Sequence, residues 1–176
     1  MNDDQIKQVL ADQQIICFHE AGHAVVAHLF GLKIQHIDVH SLYEEHATPC
    51  VVYSEVNCTP EERIMVTMAG TIAEGLCDYS NTHRGMGKSD ALQIERISQD
   101  YGIDDDKLLE LRRKTMQRIS SEDTARAILD LVMVLDVYQM HDEILDGETV
   151  HTLIRNALEN SAERNKFFEE VTGNEL

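Results

Sequence analysis

The segment that most restricts this chain is IICFHEAGHAVVAHLF, residues 15 to 30, an apolar run interrupted by His19, Glu20 and His23. Ile15, Ile16, Phe18, Val25, Val26, Leu29 and Phe30 cover nearly every face of a helix drawn through it, so that helix has to be buried. Two imidazoles and a carboxylate are costly in such a place unless each finds a partner. The fold must close around this helix and must also supply what satisfies its polar side chains.

Residues four apart on a helix stand on one face. His19 and His23 can therefore each offer a ring nitrogen to one ion at about 2.0–2.1 Å, with Glu20 beside them in reach of water on that ion. This HExxH arrangement suits hydrolysis, because zinc lowers the pKa of its water toward about 7 and polarises a scissile carbonyl while the glutamate carries the proton. Two histidines leave the site short of a third ligand. A metzincin would have Gly at 26 and His at 29, where this chain has Val26 and Leu29. A thermolysin-like glutamate is offered by Glu44 or Glu45, but within the loop-like SLYEEHATP. Asp90 is the stronger candidate, since Asp90, Ile94, Ile97 and Tyr101 form one helical stripe and set a carboxylate on a core-facing side.

The remaining pattern predicts a mostly helical α+β domain with a small antiparallel sheet. The first helix is expected from about Asp12 to Phe30, ending at Gly31 as a left-handed cap. LKIQHIDVHSL (32 to 42) and PCVVYSEV (49 to 56) read as two antiparallel strands. TPEE at 59 to 62 gives a capping box on Thr59 and Glu62, with Pro60 opening a helix that runs to about Cys77. A loop at 78 to 88 leads to a helix capped by Ser89 and stopped by Gly102, and two or three further helices fill 105 to 159. Residues 1 to 160 are expected to form one domain, and 161 to 176 a charged tail that frays.

Charge and composition exclude several function classes. With 32 acids against 15 bases and a net charge of −17, the chain has no basic stripe for nucleic acid. The four cysteines (Cys17, Cys50, Cys58, Cys77) form no CxxC pair and read as reduced apolar residues. No signal-like or membrane-spanning apolar run is found, so no membrane partner and a cytoplasmic location are expected. Among the other histidines, His83 in the loop before Asp90 is a candidate transition-state donor, as is Tyr53. Met65, Met68 and Met86 read as packing residues.

Three blocks in order, HEAGHAVVAHL (19 to 29), MAGTIAEGL (68 to 76) and GKSDALQIERISQDYG (87 to 102), with a weaker LDGETVHTLI (145 to 154), resemble the peptidase domain of FtsH-type ATP-dependent zinc metalloproteases. The resemblance implies that His19, His23 and Asp90 ligate zinc, that Glu20 is the catalytic base, and that the strand near CVVYSEV pairs with an extended peptide substrate. It also raises a homo-oligomer, since that family's domain forms a hexameric ring. Ser89 and Gly75 stand where the family usually has Asn and Glu, which bears on the surroundings of the ligands and not on the ligands themselves. No Walker motif GxxxxGK[ST] occurs and 18 residues precede His19, so a peptidase acting on peptides or unfolded segments without its own motor is expected, with a separate ATPase as the partner that would deliver folded substrates. The rival expectation is a non-catalytic or partner-specific regulatory zinc-binding protein of the same fold. The intact Glu20 favours the enzyme, because a structural site needs no base and closes its fourth position with another Cys or His.

Overall fold

The computed structural model describes the backbone of residues 3–39, 49–77, 87–140 and 144–172, and side chains within 10–39, 49–77, 87–139 and 144–160. Among the described residues six helices surround one three-stranded sheet, a mostly α arrangement as the sequence predicts. They are α1 (Asp3–Leu29), α2 (Pro60–Ala73), α3 (Lys88–Tyr101), α4 (Asp105–Ile119), α5 (Glu122–Met140) and α6 (Gly147–Thr172). The strands are β1 (Ile34–Asp38), β2 (Cys50–Tyr53) and β3 (Leu145–Asp146), in the order β2-β1-β3 with both pairings antiparallel.

α1 begins nine residues earlier than expected, because residues 3 to 11 contain neither Gly nor Pro and nothing stops the helix from extending. Its end is as read: Gly31 has φ 70°, and the Leu32 N–H donates to the Ala27 carbonyl while the Gly31 N–H donates to that of His28. This closure spends the last carbonyls of α1 and turns the chain into β1. α2 opens on the complete capping box, the Thr59 hydroxyl accepting from Glu62 N–H and the Glu62 carboxylate from Thr59 N–H. A single 3-10 turn, Glu74–Leu76, continues it.

Three expectations need correction. Gly87, not Ser89, precedes α3, and no side chain caps it; Ser89 lies inside the first turn, next to the buried Asp90. Tyr101, placed on the buried stripe with Asp90, Ile94 and Ile97, is 58% exposed, since the helix ends at that turn with Gly102 in the left-handed conformation. α6 runs past the expected boundary at 160, as far as Thr172. A third strand was also not expected. Leu145 pairs with Ile37 and Asp146 with His36, directly before α6.

Two apolar clusters hold these elements. The larger joins α1, the sheet, α2, α5 and α6 through residues such as Val25, Ile37, Ala69, Ile128, Leu135 and Ile154. The smaller, Ile64, Met65, Met68, Ile94, Ile97 and Leu111, seats α3 and α4 on the opposite side of α2. Met65 and Met68 are thus packing residues, as read. α1 and α2 cross closely because small residues meet there: a Cβ at Gly22 would lie 2.6 Å from both the Ala69 carbonyl oxygen and the Ala73 Cβ.

Candidate metal centre

The close crossing of α1 and α2 decides where the polar residues of α1 go. Leaving residue 70 without a side chain opens room for both rings: a Cβ at Gly70 would stand 2.5 Å from His23 Nε2 and 2.8 Å from His19 Cε1. The rings lie edge to face with centroids 4.6 Å apart. Their Nε2 atoms approach to 2.9 Å. From α3, on the other side, Asp90 Oδ2 comes within 3.0 Å of His19 Nε2 and 3.5 Å of His23 Nε2.

The outer nitrogens fix the tautomers. His23 Nδ1 is 2.7 Å from the Val66 carbonyl oxygen, which only accepts, so that nitrogen carries the hydrogen. His19 Nδ1 likewise donates to Glu74 Oε1 at 2.7 Å. In the neutral rings both Nε2 lone pairs therefore face each other and a carboxylate oxygen. Acceptors this close repel unless a cation stands among them. Asp90 Oδ2 is buried and has no aligned hydrogen bond, so its short contacts with the imidazoles are convergence on a common point rather than donation. A four-coordinate ion bonded at about 2.0–2.1 Å keeps its ligands about 3.3 Å apart, close to the separations found. The residues fit a metal ion, and His19, His23 and Asp90 could hold one.

Without an ion a proton can take its place. Burial opposes a charge on His19, yet its contacts with Asp90 and Glu74, and nearby Glu20, raise the imidazole to about 10, so in the metal-free protein at neutral pH its Nε2 carries a hydrogen that a bound metal would displace. Burial likewise acts against an ionised Asp90, but the imidazoles of His19 and His23 hold its carboxyl below the usual range. The cluster favours positive charge. Glu20 is 4% exposed, and its Oε2 has no hydrogen-bond partner. Burial pushes its pKa up, partly offset by His23 and His19. A cavity of about 380 Å³ opens over these four residues, walled by Cys50, Val51, Val52 and Tyr53 of β2, by Val66 and Thr67 of α2, and by Ser89 and Gln93 of α3.

The structure thus brings together His19, Glu20, His23 and Asp90, with Tyr53 on the cavity wall, where burial raises its phenol to about 12. Glu44, Glu45, His83 and Met86 lie outside the described residues. Cys17, Cys50, Cys58 and Cys77 are free thiols. Three supporting groups were missed: Glu74, the Val66 carbonyl and Gly70. The sequence held one signal for them, a glycine inside an apolar helix with a carboxylate one turn on, in MAGTIAEGL. No helix among the described residues is long and apolar enough to cross a membrane. No family model matches the chain, and no curated protein matches it in sequence.

Proposed function

We propose that the chain is a zinc-dependent endopeptidase of the FtsH peptidase type, acting on peptides or unfolded protein segments. The observation that carries this reading is Glu20: a buried carboxylate whose Oε2 has no partner, set beside a His-His-Asp cluster in an open cavity. A site that only stabilised the fold would have no use for it. Zinc, held by His19, His23 and Asp90, would supply Lewis acidity that polarises the scissile carbonyl and lowers the pKa of water.

The remaining work falls to the chain. Glu74 and the Val66 carbonyl hold the two imidazoles with their Nε2 lone pairs inward. Glu20 Oε2 accepts the proton of the attacking water as oxygen bonds to the carbonyl carbon, and returns it to the amine nitrogen as the C–N bond breaks. Burial raises its pKa above that of an ordinary carboxylate, which makes it the stronger proton acceptor. β2 is an edge strand along the cavity, and its outer backbone groups can pair with an extended substrate.

The test is cleavage of an unfolded model protein by the zinc-loaded chain without ATP, beside Glu20→Gln and a chelated sample. Wild type is expected to cut, with Glu20→Gln slower by about 10²–10⁴-fold while binding zinc normally. If nothing is cut although one zinc is bound and Asp90→Ala loses it, the peptidase reading fails and a non-catalytic zinc protein replaces it.

A further inference from the structure

At the opposite end of α1 from its amino terminus, three elements meet through a second pair of histidines. The Ile34 backbone N–H, at the start of β1, donates to His151 Nε2 of α6 at 3.0 Å. That nitrogen is therefore an acceptor, so the His151 hydrogen is on Nδ1. Nδ1 lies 2.7 Å from His28 Nδ1 of α1, which must accept, leaving the His28 hydrogen on Nε2. The rings are 5.0 Å apart. The carbonyl of Ile34 is gripped too, since Gly147 packs so tightly on its oxygen that a Cβ there would overlap it.

We propose that His28 and His151 form a proton-operated latch, which fastens the starts of β1 and α6 to the end of α1 when both rings are neutral and releases them in acid. One added proton breaks the relay wherever it lands. On His28 Nδ1 it sets two N–H groups against each other, and on His151 Nε2 it turns the acceptor of Ile34 into a donor. Among the described residues no carboxylate is placed to hold the resulting cation. The charged group acting on both rings is Arg155 of α6, and no carboxylate on any element does so among the described residues. Asp146 of β3 is committed to Thr149 and to the backbone N–H groups of Glu148 and Thr149. Burial first, then His151 and Arg155, lowers His28, and burial with Arg155 lowers His151. The neutral pair thus favours the fold above the ordinary value of 6.5, and that contribution is lost as pH falls through the lower folded values.

A metal ion is the wrong occupant for the pair. An ion between the two Nδ1 atoms would need both free of hydrogen, whereas the bond from Ile34 places one on His151 Nδ1. The latch is independent of the peptidase reading. Because β1 lies between β2 and β3, its release frees the strand on which the cavity wall is hung.

Ring ¹⁵N NMR and amide exchange of the full chain test this, with zinc bound and with zinc removed. Expected are an Nδ1–H tautomer on His151, an Nε2–H tautomer on His28, and both rings titrating below 6.5. Ile34 protection, corrected for intrinsic exchange, should fall about tenfold or more between pH 7.5 and 5.5, the equivalent of one unit of linkage. His151→Gln, whose amide oxygen can still accept from Ile34, should keep its protection at both pH values. An Nε2–H tautomer on His151, titration of either ring at or above 6.5, zinc on these rings, or equal acid loss in His151→Gln would overturn the latch.

Discussion

Replacing Gly70 with alanine tests whether α2 shapes the metal centre without contributing a ligand. The new methyl would stand 2.5 Å from His23 Nε2, 2.7 Å from His23 Cε1 and 2.8 Å from His19 Cε1. Ordinary carbon contacts are about 3.5–4.0 Å, so the rings must retreat by about 1 Å. Metal sites tolerate about 0.2 Å in bond length, so a retreat of that size spoils the ligand set. An affinity loss of about 10–100-fold is expected, the range for disturbing the supports of a ligand, equal to about 1.4–2.7 kcal/mol. The metal-free fold should respond differently. Alanine within a helix gains about 0.8–1.0 kcal/mol over glycine, and the clashing atoms are ring tips that can turn aside, so the overpacking cost stays near the lower end of about 1–3 kcal/mol. Those terms nearly cancel, leaving metal-free stability within about 1 kcal/mol of wild type. Competition with a chromophoric chelator gives the affinity, and urea unfolding in chelator gives the stability. Wild-type zinc affinity in Gly70→Ala would refute the reasoning, as would an affinity loss matched by an equal loss of metal-free stability.

Glu20→Gln should stabilise the metal-free protein at neutral pH, because burial disfavours the charged carboxylate and the amide carries no charge. The folded pKa of Glu20 lies above the ordinary 4.5, so its contribution to stability is present below 4.5 and is lost as pH rises through the folded value. The advantage of the variant over wild type should accordingly grow with rising pH in urea titrations, and an advantage that shrinks would contradict the burial argument. Gly147→Ala should cost about 3 kcal/mol, because the obstructing atom is the Ile34 backbone oxygen and cannot turn aside. A thermal midpoint within a degree or two of wild type would show that the corner between β1 and α6 relaxes freely.

Legibility in the sequence followed how local each feature is. The two histidines and Glu20 could be read because a single helix fixes their relation, and the Thr59–Glu62 capping box and the Gly31 and Gly102 caps because each is settled within a few residues. Asp90 was reachable only through its stripe of buried neighbours and the block resemblance, since its meeting with His19 depends on how α3 docks. Glu74 and Gly70 stayed hidden for the same reason: their roles exist only once α1 and α2 cross. β3 is two residues long and is defined by its partner β1, so no periodicity could reveal it. Ser89 resembles a cap in sequence, but α3 starts two residues earlier, after Gly87.

The ligands are divided between two packing units. His19 and His23 stand on α1, whose apolar residues form part of the larger cluster, whereas Asp90 rides on α3, which rests with α4 on the smaller one. Without an ion, α3 is tied near the centre by the contact of Asp90 with the imidazoles and by the smaller cluster, so the smaller unit can open while the larger stays closed. Binding would join the two into one cooperative block, and the ion's affinity would then be measured partly in the freedom α3 gives up.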